Sequence, residues 1–349
     1  MTEGGTGHPI FEAVKMGNLS EVKRHIAGGV DIGVRTRINE TPLIWAASYG
    51  HLDIVKYLVE NGAHIDAQYD AGNTPLIVAS WHGHLDVVEF LVDKGADLHI
   101  KNKGGDDAVT WAAEHGHLEI VKFLVEHGAI LSNRTLGCAS EFGTAVETVK
   151  YLLERGVDLE PEPGDGFTPL VGASYQGHTD VIDLLVKAGA NIHVDDDAPL
   201  EWAALFDQWG SVKCLLAAGA DPDSRVGRES TALTAAVTDA RPDRVKIINA
   251  LLDAGADVNR GRTDGATALH EAAETGQVDV IKMLVERGAD VSAETDQGDT
   301  PAIAAARYGQ LAALCCLAEL GADLDHGNAD GQTARSIVTE MVASLLAEK

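Results

Sequence analysis

Two histidine pairs, His82/His84 and His115/His117, recur 115 − 82 = 33 residues apart, and Glu114 directly precedes the second pair. Imidazole binds metals or moves protons near neutral pH, and an adjacent carboxyl group can act as acid or base. Within a helix, a spacing of two does not place both rings on one face, because facing neighbours lie three or four residues apart. Taken across the two copies, His82, His115 and Glu114 are the trio to consider as metal ligands or as general acid and base. The run Asp195-Asp196-Asp197 can attract a cation, but loop carboxylates are ordinarily satisfied by water. Cys138 has no evident base partner, and Cys315-Cys316 fall within an apolar helical stretch. No phosphate-binding loop, zinc-hydrolase helix or serine nucleophile elbow occurs. The sequence therefore calls for no cofactor and no metal, and nothing in it requires an enzyme.

These groups sit in a chain of 349 residues with a formal net charge of −27. Hydrophobic residues make up 45% but aromatic ones only 5%, so packing by Ala, Leu, Val and Ile must dominate the core. The acidity argues against binding to nucleic-acid phosphates, which needs clustered Lys and Arg. It favours solubility and a partner with a basic face. No apolar run reaches the roughly 18 residues of a membrane helix, and the N-terminus lacks a basic-then-apolar secretion pattern. The cysteines Cys138, Cys214, Cys315 and Cys316 lack paired spacing and read as small core residues. The expectation is a cytoplasmic, monomeric protein without membrane contact.

What positions the histidines is a recurring phrase. Copies begin at Thr41-Pro42-Leu43, Thr74-Pro75-Leu76, Thr168-Pro169-Leu170, Thr231-Ala232-Leu233, Thr267-Ala268-Leu269, Thr300-Pro301 and Thr333-Ala334, with weaker ones near His8, Asp107, Arg134 and Ala198. The first two starts differ by 74 − 41 = 33, and the last three by 33 again. A fixed period in this range marks a solenoid, in which each unit contacts only its neighbours. In the unit from Thr41, the threonine caps a helix whose first position is Pro42, where a missing N–H is harmless. Leu43, Ala46 and Ala47 give it a narrow packing face, and Gly50 ends it. A second helix follows with Ile54, Val55, Leu58 and Val59 at helical spacing, closed by Gly62. Asp70-Ala71-Gly72 then marks a tight turn.

Helix, turn, helix and extended loop in this order resemble the ankyrin repeat, carried here by Asn73-Thr74-Pro75-Leu76, Ala79, Gly83-His84-Leu85-Asp86-Val87-Val88 and Lys94-Gly95-Ala96-Asp97. The resemblance covers nearly the whole chain, in about ten repeats and a C-terminal remnant. It implies an all-α fold, an ankyrin-repeat solenoid of stacked antiparallel helix pairs with projecting hairpin loops. A single array over 1–349 is expected: an N-terminal capping repeat at 1–40, internal repeats at 41–332 and a C-terminal cap at 333–349. Irregular units fall at 129–167, 198–230 and 231–266. There the loop after Gly128 shortens, Asp207 replaces an inter-helix glycine, and an insertion occurs around Asp239-Ala240-Arg241-Pro242. These departures loosen the stacking, change the curvature or are tolerated drift. The resemblance also implies structural hydrogen bonding for His51, His84, His117 and His178, at the Gly-His position, and for His270.

Partners of such arrays are expected on a concave face, lined by the two residues before each inter-helix glycine. Tyr49, Trp81, His82, Glu114, His115, Phe142, Tyr175 and Phe206 are the partner-binding candidates there. Exposed rigid aromatics bury large area at low entropic cost. Trp45, Trp111 and Trp202 fall on the core-facing stripe and are expected to pack inward. Among the loop tips, Arg35, Arg37, Lys101, Lys103 and Arg134 are basic. Glu160, Glu162, Asp165 and Asp195 to Asp197 are acidic, and Arg225, Arg228, Arg260 and Arg262 are basic again, a pattern that can orient a partner of alternating charge. The expected function is a protein–protein interaction module that holds another protein or peptide. The alternative is a small-molecule-binding or catalytic ankyrin protein with a pocket around Trp81, His82, Glu114 and His115.

Overall fold

The computed structural model of the chain describes residues 8–143, 146–160, 168–193, 199–226, 230–238 and 242–347. Glu162, Asp165, Asp195, Asp196, Asp197, Arg228 and the insertion at Asp239-Ala240-Arg241 lie outside these residues, as does the side chain of Arg225.

Each repeat begins with a capped short helix. Thr41 Oγ1 accepts the Ile44 amide, Thr74 Oγ1 accepts that of Ile77, and Asp107 accepts that of Thr110. Such caps are worth about 1 kcal/mol each. The resulting first helices include Pro42–Ser48, Pro75–His82 and Ala108–Glu114, and each is followed by a nine-residue second helix: Leu52–Glu60, Leu85–Asp93 and Leu118–Glu126. Ile54, Val55 and Leu58 on one face of Leu52–Glu60 are completely buried, stabilising the stack by roughly 1.5–3 kcal/mol each. Alanines at the first-helix interfaces, such as Ala46, Ala47, Ala79, Ala112 and Ala113, are fully buried too and allow close approach. Among the described residues the fold is helical throughout, apart from a two-residue antiparallel pairing of Arg225–Val226 with Ser230–Thr231.

Consecutive units interlock through the inter-helix glycine. Gly50, Gly83 and Gly276 adopt left-handed backbone, with φ of 70°, 79° and 75°, a conformation glycine enters without steric cost. Against each lies a polar side chain of the next repeat. A Cβ added to Gly50 would stand 2.6 Å from the His84 ring, and one added to Gly83 would stand 2.6 Å from His117. From that position His51 Nε2 bonds the Lys15 carbonyl at 3.2 Å, His84 the Ser48 carbonyl at 3.0 Å and His117 the Trp81 carbonyl at 3.1 Å. Later in the chain glutamine takes the same place, with Gln277 Nε2 donating to the Val237 carbonyl at 2.6 Å. The irregular unit keeps this device by other means. Asp207 holds φ of 60° without being glycine, and its carboxylate accepts the Asp243 amide at 3.2 Å. Asp tolerates this conformation better than most residues.

The chain packs as two compact units, Met1–Pro169 and Leu170–Lys349. The first carries helix pairs from Pro9–Lys15 to Val146–Glu154 and starts on fully buried Ile10, Phe11 and Val14. The second ends on Ala334–Ala347, a helix packed against Pro301–Arg307. Loop tips are also tied together. The Asp70 amide donates to the Ile38 carbonyl at 3.0 Å, Lys103 to Ala71 at 3.0 Å and Asp296 to Asp264 at 2.8 Å. His270, in the later repeats, uses both ring nitrogens: Nδ1 accepts the Thr267 amide at 3.1 Å, and Nε2 donates to the Asp299 carbonyl at 2.9 Å.

Candidate functional site

Helix Ala108–Glu114 and its C-terminal residue His115 present Trp111, Glu114 and His115 at i, i+3 and i+4, which puts all three on one face. From the preceding first helix, Trp81 lays its indole on Trp111, with centroids 4.7 Å apart and planes 29° apart. Trp81 Nε1–H donates to His115 Nε2 at 3.0 Å. That bond fixes the tautomer, since an accepting Nε2 leaves the proton on Nδ1, which donates to the Trp111 carbonyl at 3.2 Å. His82 also stacks on Trp81, at 5.0 Å and 10°. From the following first helix, Phe142 stacks beside His115 at 6.1 Å and remains 47% exposed.

Trp45, Trp111 and Trp202, expected to pack inward, do so in part: all three are half-buried, the indole N–H of Trp111 and of Trp202 is buried, and Trp45 packs edge-on against buried Phe11 at 5.2 Å. The reason is helical geometry. Trp45 precedes Tyr49 by four residues, Trp111 precedes His115 by four and Trp202 precedes Phe206 by four, so each tryptophan shares a face with an outward aromatic rather than with the buried alanines between them. The centroid distances are 6.0 Å, 5.7 Å and 5.9 Å. That i, i+4 relation was the signal in the sequence that would have found them.

The electrostatics of this cluster are unusual for so acidic a chain. Burial, followed by the carboxylates of Asp106 and Glu141, pushes the Glu114 pKa up to about 7, and Arg134 opposes the shift only in part. Glu114 accepts no hydrogen bond among the described residues; its nearest cationic candidate is His115 Nδ1, 4.0 Å away and already committed to Trp111. Burial lowers the pKa of His82 and of His115, so both rings are held neutral. Burial, aided by Glu114, pushes the Cys138 thiol up to about 12, leaving it protonated and inert. Among the described residues no group of three His, Cys, Asp or Glu side chains can hold a metal ion.

The second unit repeats the arrangement with different residues. Tyr175 contacts Phe206 at 5.5 Å and Trp202 at 6.4 Å, the same register as Trp81 with Trp111 and His115. Phe206 is 40% exposed. Further along, the register becomes polar: Glu271 receives Arg262 at 2.8 Å, Glu274 holds the Tyr308 phenol above its usual pKa, and Asp299 pairs with Arg307 while also accepting Asn328 Nδ2 at 2.7 Å. None of these pairings was foreseen from the sequence.

The basic tips divide by use. Arg37, Lys101 and Lys103 are exposed. Arg35 bridges two loops, donating to the Asn39 carbonyl at 2.8 Å and the Gln68 carbonyl at 3.0 Å. Arg134 is not on a loop tip as expected. It lies in the first turn of helix Asn133–Phe142, where Ser132 and Thr135 form a capping box, and reaches back to Asp106 at 2.7 Å.

Comparison with known families settles the wider identity. A model described as ankyrin repeats (3 copies) matches residues 10–102, 136–226, 200–295 and 233–328, and one described as ankyrin repeats (many copies) matches 82–125. The chain belongs to the ankyrin-repeat family. Curated ankyrin relatives match in part: alpha-latrocrustotoxin-Lt1a of Latrodectus tredecimguttatus is 30% identical over 118 residues, 33% of this chain and 8% of that protein. The ankyrin repeat and KH domain-containing protein mask-1 of Caenorhabditis elegans is 32% identical over 139 residues, 38% of this chain and 5% of that protein. The matches thus span under a tenth of either relative. The human ASB11 ankyrin repeat domain is 26% identical with a TM-score of 0.45, covering 72% of this chain and 99% of that one. Ankyrin repeats of this kind fit a protein-interaction module, and among the described residues no helix is long and apolar enough to cross a membrane.

Proposed function

We propose that this ankyrin array holds a partner protein or peptide on the face lined by its first helices. In the first unit these helices carry Tyr49, Trp81, His82, Glu114, His115 and Phe142; in the second, taken by itself, they carry Tyr175 and Phe206. The observation that carries the reading is the stack of Trp81 on Trp111, locked by the Trp81–His115 hydrogen bond yet only half-buried, beside an exposed Phe142. A ring system fixed in place before binding loses little entropy when a partner covers it. Arg35, Arg37, Lys101 and Lys103 rim the same repeats on their loops and supply charge for orientation.

The commitment of both His115 nitrogens weighs against its use as a general base. The test is selection of binders from a displayed random-peptide library on the intact chain, followed by affinity measurements on Trp81→Ala and Phe142→Ala. Loss of at least tenfold in both variants, with helix content kept, supports the reading. Unchanged affinities place the binding surface elsewhere and end it.

A further inference from the structure

Glu114 is the last residue of its helix, where the helix dipole already disfavours a carboxylate and favours a cation. Its counterpart in the later repeats is Glu274, also the last residue of a first helix. There the residue before the next inter-helix glycine is Tyr308, whose phenol Glu274 holds above its usual pKa. In the repeat following Glu114 the corresponding residue, before Gly143, is Phe142, which offers the same ring without the hydroxyl. Beside Glu114, Asp106 takes Arg134, and in the later repeats Glu271 has Arg262 and Asp299 has Arg307. Glu114 stands half-buried, without a hydrogen-bond donor among the described residues, on the helix face it shares with Trp111 and His115, and Phe142 of the next repeat stacks beside His115. A carboxylate on the same helix face as aromatic rings complements one ligand chemistry well, a cation carried on an apolar stem.

We propose that Glu114, with the rings of Trp111 and Phe142, is the seat for a lysine or arginine side chain of the partner. This deepens the interaction reading above and rests on it: the partner presents a basic segment. The charge of the whole chain, −27, draws such a segment in. The seat gives it a partner for its charge and flat surface for its stem. Asp106, Glu141 and Arg134 surround Glu114 and Cys138 lies beside it, so the local balance stays negative.

The test uses a fluorescein-labelled, amidated peptide Lys-Gly-Arg-Gly-Lys and the same peptide with norleucine at its three basic positions, each titrated against the intact chain by anisotropy at pH 8. The basic peptide is expected to bind at least tenfold more tightly than the norleucine one. Glu114→Gln should weaken it at least fivefold, while Glu60→Gln, an equal charge change on an exposed second-helix residue, should alter it less than twofold. The melting temperature of Glu114→Gln at pH 8 should stay level or rise, because burial opposes that charge; a folding defect therefore does not mimic the result. Equal weakening in the two variants reduces the effect to net charge and overturns the proposal, as does equal binding of the two peptides. Library-selected binders that need Trp81 but not Glu114 overturn the cation seat while leaving the interaction surface standing.

Discussion

Replacing Gly83 by alanine separates backbone strain from the interlock between repeats. Gly83 has φ of 79°, and Gly95, one loop later, has φ of 87°. Alanine in left-handed backbone costs about 1–2 kcal/mol, and Gly95→Ala carries that cost alone because nothing lies within 4 Å of its new Cβ. At Gly83 the Cβ also meets His117 Cε1 at 2.6 Å. The ring must swing away, breaking its 3.1 Å bond to the Trp81 carbonyl. The lost bond is worth about 1 kcal/mol and the forced repacking about 1 kcal/mol more. Gly83→Ala should therefore exceed Gly95→Ala by about 2 kcal/mol, or roughly 30-fold in local opening. Native-state amide exchange reads it repeat by repeat, in Pro75–His82 and Leu118–Glu126. In a His117→Ala background the difference between the two substitutions should shrink to under about 0.5 kcal/mol. Equal costs in the wild-type background, or a difference that survives the loss of His117, would refute the interlock.

Phe142→Tyr should bring to Glu114 a phenol like the one that Tyr308 brings to Glu274, adding well under about 1 kcal/mol because the site is half exposed, visible as a slightly higher melting temperature at pH 8. A decrease would mean that the two registers are not equivalent. His270 provides a pH test. Burial lowers its folded pKa, so the unfolded chain binds its proton more readily and stability, full above about pH 6.5, is lost as pH falls through the depressed value. Amide exchange of Ala268–Glu274, corrected for intrinsic rates, should accelerate from pH 7 to pH 5 and lose that dependence in His270→Gln; an unchanged profile in the variant assigns the dependence elsewhere. Iodoacetamide at pH 8 should modify exposed Cys315 well before Cys138, whose thiol burial keeps protonated; mass spectrometry of peptides decides the order.

Much of the scaffold was legible because its causes are local. Thr41, Thr74 and Thr300 cap helices whose first residue is proline, and Gly50, Gly83 and Gly276 end theirs in backbone that few other residues adopt. Asp207 shows where residue type alone says too little: a substituted glycine marked an irregular unit, yet aspartate keeps the left-handed turn. The site was less legible. Trp111 read as core because it adjoins Ala112 and Ala113, although its i+4 relation to His115 leaves it only half-buried. Arg134 read as a loop tip because its repeat is short, while Ser132 and Thr135 start the helix early enough to bring the guanidinium to Asp106. The raised pKa of Glu114 depends on which residues face it from the next repeat, and that register exists only once the repeats are stacked.

The central claim is that the chain binds its partner through the tryptophan face of the first helices. Fluorine NMR of the intact chain labelled with 5-fluorotryptophan tests it most directly, since the chain has five tryptophans and Trp209 begins a second helix, off that face. On titration with a library-selected peptide, the Trp81 and Trp111 resonances should shift together while that of Trp209 stays in place. A shift confined to Trp209, or binding that leaves Trp81 and Trp111 unmoved, would contradict the account.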